Sequence, residues 1–587
     1  MANSLSAEQP KCHADESSAL LQFKQSFSIG KSTSSDPSAY PKVASWNLEG
    51  DSGDCCSWDG IECNQETGHV IGLDLSSSFL HGFINSSSSL FSLVHLQRLN
   101  LAYNDFDYSC IPLEIGHLSG LTSLNFSSSV FSGRIPSEIS KLSKLVSIDL
   151  SFNVDSSNSG LKFEKPGLRS LLHNLTNLKV LRLNDVSISS EVPDTLANLT
   201  SLTTLVLESC GLHGEFPISI FYLPNLQVLD VSSNGYLIGH LPEFHPSSPL
   251  QDLMLSGTSF SGKLPDSIGN LNFLNQLDFS SCYFSGSLPA SLGNLTQLNY
   301  VSLSSNKFNV GTLQLLGFEQ HPGPLPIPPL SIHYYSVSYN KLTGELPPLI
   351  CRISSLYVLD LSNNNLTGTI LPCLSNFSDS LKVLNLKGNN FQGPIPHSYN
   401  RGNKLKMIDF SDNKLQGKVP RSLANCTELE ILDLSNNLFD DTFPLWLGDL
   451  TKLQVLILRS NKFYGAIVNP KIKLELPNLH IIDLSHNGFT GNLPSKYFQS
   501  WNAMKFFDVD KMKYMDTIID VGGNNDTQWS YDYSYTMSII NKGVNTEYQE
   551  IPNIFTAIYL SSNKFEGVIP KFIGNLKGAS GAQPFQQ

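Results

Sequence analysis

Residues 250–273 read LQDLMLSGTSFSGKLPDSIGNLNF, and residues 274–297 read LNQLDFSSCYFSGSLPASLGNLTQ. They are one phrase written twice. Anchored on the second apolar residue of its L-x-L triplet, the phrase recurs at Leu75, Leu101, Phe126, Leu150, Leu183, Leu207, Val231, Leu255, Phe279, Leu303, Val337, Leu361, Leu386, Phe410, Leu434, Leu458, Leu484 and Leu560. From Leu183 to Leu303 every step is 24 residues. A fixed period of this size marks a solenoid of stacked coils. The triplet alternates with period two, so it predicts a short strand whose leucines face inward. One coil cannot bury its leucines alone. The stack buries them jointly and builds one long parallel sheet.

Three residues after the anchor the chain turns. That slot holds Asn in twelve copies: Asn104, Asn153, Asn234, Asn306, Asn340, Asn364, Asn389, Asn413, Asn437, Asn461, Asn487 and Asn563. A buried amide with two donors and an acceptor can satisfy backbone groups of neighbouring turns. Cys210 and Cys282 fill the same slot and read as free core cysteines. A Gly-x-Ile-Pro element follows, as at Gly133 to Pro136 and Gly567 to Pro570. Glycine permits the bend and proline fixes an extended backbone after it. The phrase resembles the plant extracellular subfamily of leucine-rich repeats, from about residue 12 to residue 575. The resemblance implies an α/β leucine-rich-repeat solenoid of the plant-specific type. It would be a curved superhelix of about 18 repeats with the parallel sheet on its concave face, an N-terminal disulfide cap and a late island insertion.

The expected division is a leader remnant over 1–11, a cap over 12–70, repeats over 71–494, an island over 495–555, an incomplete last repeat over 556–578 and a disordered tail over 579–587. In the cap, Leu20, Leu21, Phe23 and Phe27 have helical spacing and can cover the first repeat. Cys55, Cys56 and Cys63 could belong to a zinc site, but vicinal cysteines suit tetrahedral ligation poorly and no CxxC pair is present. The resemblance instead implies pairs Cys12–Cys55 and Cys56–Cys63, and with them an oxidising compartment. Cys351 and Cys373 lie 22 residues apart, nearly one repeat, and are expected to form a third bridge. Cys110 and Cys426 stay unassigned. Nine glycosylation sequons begin at Asn85, Asn125, Asn174, Asn198, Asn294, Asn365, Asn376, Asn425 and Asn525. None begins at a ladder asparagine. Asn174, Asn198, Asn294 and Asn425 each stand nine residues before an anchor, so their glycans would line one flank.

Three steps break the period. Leu150 to Leu183 is 33 residues and carries VDSSNSGLKFEKPG; Leu303 to Val337 is 34 and carries HPGPLPIPPL; Leu484 to Leu560 is 76. Surface insertions cost little, which explains the two short ones. The long one is expected to carry function. Its aromatics Trp529, Tyr531, Tyr533 and Tyr535 suit either recognition or an island strand. An island placed late in the repeats, ending in a Lys-Gly pair at Lys542 and Gly543, resembles plant receptor-like proteins. In that family the island and neighbouring repeats take part in ligand or co-receptor contact. On the strands, Asp precedes the anchor at Asp74, Asp149, Asp230, Asp278, Asp360, Asp409, Asp433 and Asp483. This regularity reads as a solvated face, with an acidic bias toward a basic partner as the alternative. Departures from the pattern supply candidate contacts: Arg182, Asn184, Asp185 and Glu208; Tyr335 and Tyr357; and Lys387, Arg459, His480 and His486 toward the island.

The 587 residues carry a net charge of −13, against the basic stripe that nucleic-acid binding requires. No nucleotide loop, zinc helix, kinase signature or triad spacing is present, so neither catalysis nor a cofactor is expected. No run of about 20 apolar residues could span a membrane. Complete family members carry a signal peptide, a membrane helix and a cytosolic tail, so the expectation is a chain truncated at both ends. The full-length protein would sit on the outer face of the plasma membrane and reach the membrane only through the missing segments. The leading function is ligand recognition in plant innate immunity. The ligand would be a protein or peptide, microbial or endogenous, and the signal would pass through a receptor kinase adaptor and co-receptor. Alternatives are a developmental peptide receptor, a secreted decoy, or a secreted inhibitor of polygalacturonase-type hydrolases. Those inhibitors have near ten repeats and no island.

Overall fold

The computed structural model describes residues 10–570 except 35, 49–52, 155–159, 165–166, 310–324, 326, 378–379, 468–475, 494–500, 505–512, 522–528 and 542–543. Most of the expected leader, the whole expected tail, much of the second insert and the sequon at Asn525 therefore lie outside the described residues. The chain forms two compact units, Met1–Tyr283 and Phe284–Gln587.

The first unit opens with a helix, Ala14–Gln25, that has Asp15 and Glu16 in its first turn and Lys24 in its last. These charges complement the helix dipole at both ends. Ala19, Leu20 and Phe23 are buried from it. Disulfides join Cys12 to Cys55 and Cys56 to Cys63, with Cα atoms 5.5 Å apart in each pair. Trp46 stacks on Trp58 and donates its indole N–H to the Asp59 carbonyl at 3.0 Å. Strand Ile61–Cys63 pairs antiparallel with Val70–Asp74, and Val70–Asp74 starts the parallel stack. Each repeat then adds one three-residue strand in strict register, so Leu181, Leu205, Leu229, Leu253 and Leu277 stand side by side.

The slot asparagines form the ladder. Asn104 donates to the carbonyls of Leu75, Leu101 and Ala102 at 2.7, 3.0 and 3.1 Å, and accepts from the Leu80 N–H at 2.9 Å. Cys210 substitutes in kind, its thiol donating to the Leu183 carbonyl at 3.0 Å. What turns the slot inward is a left-handed residue just before it. Ser77, Tyr103, Asp185, Ser233, Asp412 and His486, each two after an anchor, have φ between 50° and 62°. Gly257 and Gly388 fill that place without strain.

The α part of the expected α/β class is small. Among the described residues only Ala14–Gln25 and Leu168–Leu172 are α-helical, while most coils carry a 3₁₀ turn after the proline, such as Asp266–Asn270 after Pro265. Gln276 begins the next strand only eleven residues after Pro265, and a short 3₁₀ piece fits that space. Within the first insert Leu161–Lys162 pairs with Gly133–Arg134, and just after it Leu168, Leu171 and Leu172 are buried.

In the second unit the strands run Tyr300–Ser302, Tyr334–Ser336, Val358–Asp360, Val383–Asn385, Met407–Asp409, Ile431–Asp433, Val455–Ile457, Ile481–Asp483 and Ala557–Tyr559, parallel and in register. Ile481 pairs directly with Ala557, so the long insert leaves the stack and returns to the very next coil. Cys351 is bonded to Cys373. Cys210, Cys282 and Cys426 are buried free thiols, and Cys110 is an exposed one. Asn85, Asn174, Asn198, Asn294, Asn365 and Asn376 are exposed, while Asn125 and Asn425 are half-buried. Among the described residues no helix is long and apolar enough to cross a membrane.

Candidate functional site

Three positions of each strand segment point away from the leucine core: three and one residues before the anchor, and one after. In the second unit the first of these is apolar coil after coil, at Tyr334, Val358, Val383, Met407, Ile431, Val455, Ile481 and Ala557. In the first unit the same place holds Gly72, Arg98, Ser123, Ser147, Val180, Thr204, Val228, Asp252 and Gln276. The difference separates two kinds of face.

The island packs on the apolar row. Tyr514–Val521 pairs antiparallel with Trp529–Ser534 and with Ile551–Pro552, and Met537–Asn541 pairs with Val544–Tyr548. Met515, Tyr533, Tyr535, Met537, Ile539 and Ile551 bury against Val358, Val383, Met407, Ile431, Val455, Ile457 and Ile481 in one cluster. Polar groups fix the register of this contact. Tyr533 donates its hydroxyl to Asp360 at 3.1 Å and accepts from Asn385 at 3.2 Å. Tyr535 donates to Glu430 at 3.2 Å, and Tyr339 donates to Glu547 at 2.8 Å. Lys387 reaches Ser538 and Glu547, both at 2.8 Å.

Several expected contacts are thereby relocated. Tyr533, Tyr535, Lys387 and Arg459 are buried in the second unit rather than displayed. Tyr335 lies inward, because it is the first apolar residue of its own triplet, and it belongs to the leucine core. Its neighbour Tyr334 faces out and stacks on Tyr300 at 4.5 Å. Tyr357 and His480 are half-buried, Tyr357 stacking on His333 at 5.4 Å, and His486 is exposed. Trp529 and Tyr531 lie on the strand Trp529–Ser534, and Lys542 lies outside the described residues.

The regular aspartates are not one solvated face either. Each accepts the backbone N–H two residues on, at 2.8–3.0 Å, and so caps its own strand end. Asp360, Asp409, Asp433 and Asp483 are also buried. Burial pushes the Asp409 and Asp433 carboxyls up. Lys387 pulls both back, while Asp409 pushes Asp433 higher. Burial alone would depress the Lys387 ammonium, but Asp409, Glu547 and Asp433 hold it above the usual lysine range.

The first unit keeps a polar face. Arg182 is exposed there; Asn184 donates to Glu208 at 2.9 Å and accepts from Ser151 at 3.0 Å, which joins the expected patch. Asp230 and Asp278 lie one strand apart on either side of Met254. The residue missed from the sequence is Asp252. It stands three before its anchor instead of one, so the strand-end N–H is beyond its place in the register. It is 9% exposed and its Oδ1 has no hydrogen-bond partner. Burial, with Asp230 beside it, raises its carboxyl to about 6, against the pull of Arg182. Burial raises Glu208, Asp230 and Asp278 as well. Its departure from the one-before rule was the available signal.

A raised carboxyl means that the folded state holds its proton more tightly than the unfolded chain. The stability Asp252 leaves intact below its unfolded value near 3.8 is therefore lost as pH rises through about 6. Asp252→Asn is expected to stabilise the free protein at pH 7 by about 1–3 kcal/mol and to flatten this part of the slope. Thermal midpoints of both proteins at pH 4 and pH 7 check it; parallel profiles would refute the assignment.

Two groups among the described residues have metal-ligand spacing, Cys12–Cys55–Cys56 and Glu16–His69–His95. The first is consumed by disulfides.

Residues 13–64 match the family described as leucine rich repeat N-terminal domain, and residues 379–439 match leucine rich repeat. A second leucine rich repeat family matches residues 249–271, 273–295, 355–377, 478–499 and 555–576. Receptor-like protein 7 of Arabidopsis thaliana is 51% identical over 273 residues, covering 46% of this chain and 27% of that protein. Receptor-like protein Cf-9 of Solanum pimpinellifolium is 33% identical over 274 residues, 45% of this chain and 31% of that one. The matches thus span about a third or less of these relatives' length. Among solved structures, the ectodomain of the Arabidopsis receptor kinase HAESA, in complex with an N-terminally extended IDA peptide hormone, is 26% identical with a TM-score of 0.66. It covers 95% of this chain and 87% of its own.

Proposed function

Because the chain is a leucine-rich-repeat protein of the plant receptor-like type, we propose that it is the ligand-recognition ectodomain of a cell-surface receptor in plant innate immunity. Its ligand is a protein or peptide that lays basic side chains on the sheet face of the first unit. Its signal passes through a partner receptor kinase at the plasma membrane. The observation that carries the ligand class is the acidic cluster on the sheet of the first unit, where Asp252, Asp230, Asp278 and Glu208 come together from neighbouring repeats and burial raises each carboxyl. An incoming ammonium or guanidinium would relieve the crowding of negative charge there. The peptide complex of the HAESA relative supports a peptide-sized ligand on this fold. The same likeness favours a second reading, a receptor for an endogenous peptide hormone.

The test is selection of displayed random peptides on the full chain, then re-measurement on Asp230→Asn/Asp252→Asn. Enrichment of Lys and Arg is expected, with binding about tenfold or more weaker on the double variant. Acidic or purely apolar peptides that bind both proteins equally would reject the basic-ligand reading. Challenge of plant tissue expressing the full-length receptor with microbial filtrates and with the plant's own secreted peptides separates immunity from hormone perception.

A further inference from the structure

We propose that the cap carries a site for a divalent transition-metal ion of the zinc class, formed by Glu16, His69 and His95. The three residues come from three separate places: the first turn of the helix Ala14–Gln25, the approach to strand Val70–Asp74, and the approach to strand Arg98–Asn100. One ligand atom from each lies within 4.8 Å of the others. Glu16 is 5% exposed, and its Oε2 accepts the Val70 N–H at 2.9 Å, which fixes the carboxylate and leaves Oε1 facing His69. Oε1 stands 3.2 Å from His69 Nδ1. Two ligands bonded at zinc distances with a tetrahedral angle are separated by about 3.3 Å, so this pair already has the spacing of neighbouring ligands on one ion.

His69 lies between two further imidazoles. His13 stacks on one side at 3.9 Å and His95 on the other at 3.8 Å. His13 is engaged elsewhere, its Nε2 bonded to the Thr67 carbonyl at 2.9 Å, so it props the His69 ring and does not ligate. His95 is exposed, and rotation of its side chain can bring a ring nitrogen onto the ion. One carboxylate and two imidazoles are the donor set of open zinc sites, and a water would complete the shell. Imidazole nitrogen also accepts copper and nickel, so zinc stands here for the class. The bland alternative is a hydrogen-bonded Glu16–His69 pair under a packing stack. It accounts for the Glu16–His69 contact and, through the stack, for the nearness of His95, so the zinc titration separates the two readings.

A bound ion would tie the cap helix to the first two coils. The test is a zinc titration by calorimetry on the full, disulfide-bonded chain after chelator treatment, with thermal midpoints read in parallel. The expected result is one ion per chain with a Kd of about 1 µM or tighter and a rise in midpoint. His95→Gln, an exposed change that should not disturb folding, should weaken binding about tenfold or more, and His69→Gln about a hundredfold. His13→Gln should leave affinity within about threefold. Stoichiometric zinc that survives both His69→Gln and His95→Gln, the absence of binding below about 100 µM, or an equal loss in His13→Gln would each overturn the assignment.

Discussion

Lys387→Ala is expected to cost about 3–5 kcal/mol in the second unit and to loosen the island from the sheet. Lys387 is 5% exposed, and its ammonium donates to Ser538 and Glu547 on the island hairpin. It is also the cation that holds down Asp409 and Asp433, two buried carboxyls on neighbouring strands. Removing it breaks the tie to the island and leaves those carboxyls crowded together. Lys387→Met keeps the apolar stem, so a loss of similar size there would assign the effect to charge rather than packing. The sign with pH is fixed by the same groups. Both carboxyls are raised in the folded state, so the penalty is largest near neutrality and fades as pH falls toward their unfolded value of 3.8. Hydrogen exchange in Met537–Asn541 and proteolysis of the island are the local readouts, because a chain of two units need not unfold in one step. Unchanged exchange in that hairpin would show that the apolar cluster alone holds the island.

The second large effect is expected at the ladder. Asn437→Ala should lower stability by about 3 kcal/mol or more. The amide accepts from the Leu415 N–H at 2.9 Å and donates to the carbonyls of Phe410, Leu434 and Ser435 at 2.9, 3.3 and 2.9 Å. Alanine leaves these groups without their amide partner in a buried turn. The chain itself predicts the partial rescue. Cys210 reaches the preceding coil's carbonyl at 3.0 Å, and Ser129 reaches its counterpart, the Leu101 carbonyl, at 2.8 Å. Asn437→Ser and Asn437→Cys should therefore fall between alanine and wild type in a denaturant titration. Equal midpoints for all three variants would mean that the slot is filled for shape and not for hydrogen bonding.

The two sites differ in how far they could be read in advance. Asn437 was legible because its partners lie in its own coil and the preceding one, and the repeat places Asn in that slot in twelve copies. Lys387 was visible only as a departure from the repeat, and its partners stand 151 and 160 residues away. The apolar row from Tyr334 to Ala557 was available as a signal, since an outward position held by Val358, Val383, Met407, Ile431, Val455 and Ile481 must be covered by something. Reading the aspartates as one solvated face hid it, because the same letter caps a strand end whether or not an island lies above.

By itself the sequence determined the solenoid, the inward leucines, the asparagine ladder and the place where the period fails. All of these rest on contacts between neighbouring coils, and such contacts recur at a fixed spacing. Only the tertiary structure decided that the island folds back to bury Tyr533, Tyr535 and Lys387, and that Asp252 is nearly buried on the first unit's sheet with its Oδ1 enclosed and without a hydrogen-bond partner. Those outcomes depend on which distant surface covers each outward side chain, and no period records that choice.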